Sequence, residues 1–401
     1  LRSITIFVGE LPMISRHIDT GKSSFTKWIG ILMTMAKITL PIRYWDQGPT
    51  RRISTTDNGR TIEAAYFNYV KFTGLSKHYP LPLLYSYQTK KLYLPLREKF
   101  MSLNRGTVYE DGDMSYEIEH LPLGKTCDVP MFYFVYNMAN YYHFVYDTLP
   151  HLYAYFNEKK IHPDMKLLVS PPEGKDDLYP FVWDSLKLLG ITRKDVVFLD
   201  TDVMYNRVCV SSSLTHNGLS NCPPHKGVFE VLNQMKSDYV GPEKIYISRR
   251  TWLNGDTSNI GTNYTERRKC VNEDQMAQIF KLYGFKEIFC ENLTMEEKVG
   301  MFRTAKYVAG PIGGGMCNVI FSPPETKVLS IDSPTFFDVN FRFGYSMEHT
   351  DLTHFEYTKF TDKQEESVES DGSLSISGGL NSPWEVDLNK LSKILTTWIT
   401  S

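Results

Sequence analysis

Gly310-Pro311-Ile312-Gly313-Gly314-Gly315-Met316-Cys317-Asn318 is the stretch that decides how this chain is read. Three consecutive glycines follow the apolar run at 307–309 and precede a short apolar segment ending near Ile320, the layout of a strand, a tight turn and a helix start. A backbone without Cβ atoms lets N–H groups come close to an anion. Glycine runs also serve as plain strand-to-helix turns, so the reading draws its weight from the flanking segments.

Working outward, residues 328–332 read as a following strand. On the other side come a helix at 295–305, a strand at 286–289, a helix at 273–283 and a strand at 245–248. The same alternation appears earlier, with strands at 131–136, 166–170 and 195–199 and helices at 140–156, 180–189 and 227–239. Strands that alternate with helices form parallel sheets, so the expected class is α/β. The Gly241-Pro242 pair marks a boundary between two such units, 116–240 and 241–361. Residues 1–115 read as an irregular, partly β lead-in packed on the first unit. Residues 362–401 read as a mobile Ser/Gly/Glu-rich loop followed by an amphipathic docking helix, for which a crossing between units is one use. Two α/β units of similar size enclose a cleft.

Two segments carry polar residues where an ordinary core would not want them. In Asn140-Tyr141-Tyr142-His143-Phe144-Val145-Tyr146-Asp147-Thr148-Leu149-Pro150, His143 and Asp147 are four apart and share a helix face. In Lys244-Ile245-Tyr246-Ile247-Ser248-Arg249-Arg250 a strand ends on two guanidinium groups, followed by Arg267, Arg268, Asn272 and Glu273. The carboxyl ends of strands are where open α/β sheets bind ligands.

Composition narrows the function classes. With 401 residues and a formal net charge of −2, the chain has no basic excess for a nucleic-acid backbone. Aromatic residues make up 13%, a content that suits sugar-binding clefts and large cores alike. Cys127, Cys209, Cys222, Cys270, Cys290 and Cys317 are scattered and form no CxxC pair, so no metal site is expected. The sequons at Asn263 and Asn292 are no more frequent than chance, and localisation stays open between a secretory lumen and the cytoplasm. The chain opens on Leu1, which leaves room for a preceding tag, signal or anchor. The apolar stretch 28–35 is far shorter than the roughly 20 residues a membrane span needs, so none is expected.

Taken in order, these three segments resemble glycosyltransferase family sixty-one. That family carries an N-Y-Y-H-x-x-x-D-x-L-P segment, an I-S-R segment followed by a basic cluster with N-E, and a G-x-x-G-x-G-x-x-N-x-x-F-x-P-P segment. Here they read Asn140 to Pro150, Ile247 to Arg249 with Arg268, Asn272 and Glu273, and Gly310 to Pro324. The likeness spans about residues 130–335. It implies a GT-B architecture of two Rossmann-like parallel-sheet domains facing a cleft. It also implies inverting, metal-independent transfer from a nucleotide sugar, taken as a UDP-sugar, to a glycan or glycoprotein, with no cofactor.

On that resemblance, Arg249, Arg268, Ser248, Asn318 and the N–H groups of Gly313, Gly314 and Gly315 are expected to bind the donor. Asp147 is expected as the base and His143 as its orienter, with the reverse roles nearly equal. Asn140, Tyr142 and His216, in the 214–218 loop, are the secondary or acceptor-side candidates. One departure stands out: the family has His where this chain has Ile312, and this motivates the alternative of a catalytically silent glycan-binding relative. A dinucleotide oxidoreductase built on the glycine turn, with Asp332 as its acidic residue, is the weaker third reading, because the G-x-G-x-x-G spacing is missing. The sequence is silent on sugar, linkage and oligomeric state, a homodimer included.

Overall fold

The computed structural model describes residues 37–44, 50–57, 60–73, 82–95, 115–119, 124–172, 174–215, 223–250, 269–311, 313–331, 351–355, 358–360 and 383–401. The expected site residues His216, Arg268 and Ile312 lie outside these, as do Arg267, Asp332 and the loop at 362–382.

The lead-in supplies strands β1 (Lys37–Tyr44), β2 (Thr50–Asp57), β3 (Arg60–Phe72), β4 (Leu84–Ser86), β5 (Lys91–Leu94) and β6 (Ser115–Glu119). Then come β7 (Lys125–Cys127), β8 (Met131–Tyr133), β9 (Lys166–Val169), β10 (Val196–Phe198) and β11 (Val203–Ser211). All of them join one sheet of order β10-β9-β8-β11-β3-β4-β5-β1-β6, with β2 paired to β3 and β7 to β11. Its four-strand end, β10-β9-β8-β11, is parallel throughout. The lead-in is therefore more regular than its sequence suggests. β3 is 13 residues long and lies antiparallel to β11 along most of its length. Neither β3 nor β11 stands out as a strand in the sequence, because Asn68, Tyr69, Asn206 and Arg207 interrupt their apolar pattern.

A helical run follows β8. It opens with one α turn, Tyr141–His143, widens to a π segment, Phe144–Thr148, tightens to a 3-10 turn, Leu149–His151, and continues as α1 (Leu152–Lys159). Pro150 accounts for the irregularity. It has no N–H to give Tyr146, and its ring would press on that carbonyl, so the regular ladder yields to an i−5 bond from Leu149 N–H to the Phe144 carbonyl. α2 (Pro180–Leu188) starts on Pro180, whose φ suits a first turn, and ends before Gly190 at φ +75°. α3 (Gly227–Leu232) stops well short of the expected Tyr239.

The second sheet has the order β13-β12-β14-β15-β16, from β12 (Lys244–Ile247), β13 (Lys286–Ile288), β14 (Tyr307–Pro311), β15 (Lys327–Ile331) and β16 (Asp351–Phe355). Every pairing in it is parallel. Between these strands run α4 (Glu273–Leu282), α5 (Met295–Thr304) and the 3-10 segment Met316–Phe321. Thr294 and Glu297 form a reciprocal capping box at the start of α5. β17 (Thr358–Phe360) and β18 (Trp384–Val386) pair with each other, and α6 (Leu388–Thr400) follows.

The two faces of the second sheet bury against different partners. Ile245, Ile247, Val308 and Val328 join α5 and the elements of the first sheet in one large core. Tyr246, Ala309, Leu329 and Ile331 face α4 and α6 in a second core. The terminal helix thus docks on the second sheet, with the Trp398 ring stacked on Phe285 at 6.1 Å.

In the parallel part of the first sheet strand order reverses between β8 and β11, and in the second sheet between β12 and β14. Connections leave such a point in opposite directions, and the crevice they open beyond the strands' carboxyl ends is where α/β sheets take ligands.

Candidate active site

Beyond the carboxyl end of β8, Asn140 caps the helical run, its Oδ1 accepting the His143 N–H at 3.2 Å. The Asn140 N–H in turn donates to Asn137 Oδ1 at 3.0 Å. Asn140 thereby fixes where the run begins. One turn on, His143 Nδ1 stands 2.7 Å from Asp147 Oδ2. Asp147 Oδ1 accepts a 2.7 Å hydrogen bond from Thr215 Oγ1, which comes from the segment beyond the carboxyl end of β11. The carboxylate side chain is 2% exposed and the imidazole 21%. Tyr142 lies beside them, its ring centroid 5.3 Å from that of His143. Behind them the buried His151 stacks on Tyr136 at 4.0 Å and meets Ser211 Oγ at 3.1 Å.

At the second sheet's reversal point, Glu273 organises the end of β12. Its Oε1 accepts from Tyr246 Oη at 3.0 Å, Ser248 Oγ at 3.3 Å and the Arg249 N–H at 2.7 Å. Ser248 is therefore a structural support for the turn that carries Arg249. Arg250 points elsewhere, into Glu287 and Asp274. The Arg249 guanidinium lies flat on Gly313: a Cβ placed there would sit 3.3 Å from one guanidinium nitrogen and 3.4 Å from its carbon. β12 and the glycine turn, 64 residues apart in sequence by those two numbers, thus form one surface.

The glycines divide by what surrounds them. A Cβ at Gly310 would fall 2.5 Å from the Ile247 carbonyl oxygen, and one at Gly315 would fall 2.8 Å from Ile247 Cγ2. A Cβ at Gly314 would meet nothing within 4 Å. None of them has a positive φ, so close approach accounts for Gly310, Gly313 and Gly315 but not for Gly314, and a left-handed backbone accounts for none. Gly310→Ala is expected to destabilise the chain by about 2–3 kcal/mol through overpacking against backbone. Gly314→Ala should stay within about 0.5 kcal/mol of the parent. Denaturant midpoints of the two variants check this.

Glu273 also sets a pH dependence. Burial raises its carboxyl above the ordinary 4.5, against the opposing pull of the Arg249 N–H, Tyr246 and the two arginines. The folded chain consequently holds this proton more tightly than the unfolded one. That stabilisation is complete below 4.5 and is lost as pH climbs through the raised value. Glu273→Gln, with no charge to bury, should flatten the fall in melting temperature as pH rises above 4.5. A slope equal to the parent's would refute the assignment.

A third group joins the two reversal points. Tyr141, in the first turn of the helical run, donates through Oη to Asn318 Oδ1 at 2.5 Å, and Asn318 Nδ2 donates to the Gly315 carbonyl at 2.8 Å. Asn318 is fully buried. It acts as a strut between the helix that carries His143 and the turn that faces Arg249. Asn272 is likewise structural, its amide pairing with both the N–H and the carbonyl of Val386 in β18.

The structure so brings His143, Asp147 and Thr215 together on one side and Ser248, Arg249, Gly313 and Glu273 together on the other. Thr215 and Tyr141 escape a reading of the sequence. A lone Thr in a loop has no pattern, and Tyr141 reads as core beside the more conspicuous His143. Among the described residues no three His, Cys, Asp or Glu side chains gather as a metal-ligand set, and no helix is long and apolar enough to cross a membrane.

Residues 141–329, from the turn that holds Tyr141 to β15, match the family model described as Glycosyltransferase 61. The match points to a glycosyltransferase. It spans just under half of the 401 residues and supports membership of glycosyltransferase family 61. No curated protein matches the chain.

Proposed function

We propose that this protein is an inverting, metal-independent glycosyltransferase of GT-B architecture that moves a sugar from a UDP-sugar to a hydroxyl of a glycan or glycoprotein. The observation that carries this reading is the meeting of two strand-order reversal points, one bearing an imidazole–carboxylate pair and the other a guanidinium on a glycine turn. Arg249 and the N–H groups of Gly313, Gly314 and Gly315 meet the diphosphate of the donor, where negative charge grows as the bond to the sugar breaks.

The geometry favours His143 as the base, with Asp147 holding it, over the reverse. Asp147 is buried with both carboxylate oxygens engaged, by His143 and Thr215. A carboxylate can only accept, so His143 Nδ1 carries the proton and Nε2 keeps a lone pair. In the reaction the acceptor hydroxyl oxygen bonds to the anomeric carbon as the carbon–oxygen bond to the diphosphate breaks. The hydroxyl proton passes to Nε2, and the bonding pair leaves on the diphosphate.

The test is thermal stabilisation of the chain by a panel of nucleotides and nucleotide sugars with and without EDTA, followed by NMR of the anomeric configuration of any product. A shift with UDP or one UDP-sugar that survives EDTA, and an inverted product, are the expected results. A retained configuration, or stabilisation that EDTA removes, would sink the mechanism. Glycan binding with neither transfer nor donor hydrolysis would favour the silent relative that Ile312 suggests.

A further inference from the structure

Lys298 on α5 is 4% exposed. Its Nζ lies 4.7 Å from the centroid of the Tyr141 ring, and among the described residues it makes no hydrogen bond or ion pair with an acid. The nearest polar groups cannot neutralise it. Burial pushes the Cys290 thiol up to about 12 and holds the Cys317 thiol and the Tyr141 phenol well above their usual values, so all three stay uncharged. Asp184 and Glu291 act on Lys298 only through the field, and burial outweighs them, drawing its ammonium down. A buried ammonium with no counter-ion costs more than one ring face returns.

The place of this charge is informative. Tyr141, over which it sits, donates to Asn318, which holds the Gly315 carbonyl. Cys290 Sγ, beside it, lies 3.7 Å from the same carbonyl oxygen. The charge therefore sits against the Tyr141–Asn318 link that holds the glycine turn in place. A carbonyl oxygen and an amide are too weakly polar to compensate a full cation, whereas an anion bound at the turn would do so through low-dielectric protein.

We propose that Lys298 is the fixed positive charge against the Tyr141–Asn318 link that makes this site prefer a diphosphate to a monophosphate, a role that rests on the donor reading above. The second phosphate brings the added negative charge, and its field is what Lys298 answers. Lys298 is a positioning and selectivity residue that touches neither reacting atom.

The experiment is calorimetric titration of the full chain and of Lys298→Met with UDP, UMP and inorganic pyrophosphate, alongside melting temperatures without ligand. In Lys298→Met, UDP and pyrophosphate should bind about tenfold more weakly or worse, UMP within about twofold of the parent, and the melting temperature should not fall, because an uncompensated buried charge has been removed. Lys298→Gln, which keeps length and polarity, should show the same selectivity loss and serves if the Met variant folds poorly. Unchanged UDP affinity in either variant overturns the proposal. So does an equal loss for UDP and UMP with a lowered melting temperature, which marks a packing role. A parent chain that binds none of the three probes rejects the donor reading and this inference together, whereas binding that Lys298 does not influence rejects the inference alone.

Discussion

His143→Ala is expected to lower kcat for sugar transfer by about 10²–10⁴-fold, the usual contribution of a positioned general base, while donor affinity and melting temperature stay close to those of the parent. Affinity should hold because His143 sits at the first sheet's reversal point and the groups for the diphosphate sit at the second. Added imidazole should restore part of the rate in this variant. Asp147→Asn should also lose most activity, for a different reason: an amide in that place can donate to Nδ1, which moves the imidazole proton to Nε2 and leaves no lone pair for the acceptor. Imidazole should not rescue Asp147→Asn, since the misprotonated ring still fills the site. Rescue in both variants, or full activity in His143→Ala, would return the base to Asp147, the assignment preferred on sequence alone. Single-turnover rates with saturating donor make the comparison without interference from binding.

Arg249→Ala should weaken nucleoside diphosphate binding by about 10–100-fold, as charge-assisted hydrogen bonds are worth about 1.5–3 kcal/mol. The loss should appear in donor KM and in calorimetric Kd together. Arg249→Lys should recover little, because the guanidinium plane lies on Gly313, and an ammonium offers neither the plane nor the paired donors. Arg250→Ala should leave affinity near normal and cost stability instead, because Arg250 is occupied by Glu287 and Asp274. Equal effects at 249 and 250 would mean that the positive charge of the segment matters and the flat seat on Gly313 does not.

Periodicity made the second sheet legible almost element by element. The sequence places its strands near 245, 286, 307 and 328 and its helices near 273 and 295, within a residue or two of where they fall. These elements are short, apolar and bounded by Gly, Pro or a capping box, so local signals agree with the final fold. The first sheet was legible only in β8, β9 and β10. β3 and β11 derive their stability from pairing with each other across more than a hundred residues, and no local window contains that information. The break of the helical run into π and 3-10 segments was equally hidden. Pro150 announces that something must give, while the direction in which the backbone gives is set by the packing of Phe144, Val145 and Leu149 in the core.

By itself the sequence determined the α/β class, the succession of strands and helices, and the residue types available for chemistry: a His and an acid four apart, an arginine at a strand end, a glycine run. These follow from near-neighbour geometry and intrinsic backbone preference, which act within a turn or two of chain. The tertiary structure alone decided which of them meet. Strand order placed residues 141–147 beside Thr215 and residue 249 beside Gly313. Burial then sorted the roles, leaving the imidazole part-exposed, locking the carboxylate between two donors, turning Ser248 and Asn318 into supports and enclosing Lys298 with no acidic partner in contact among the described residues. Strand order and burial are properties of the whole packed chain, because each depends on contacts between segments tens to hundreds of residues apart.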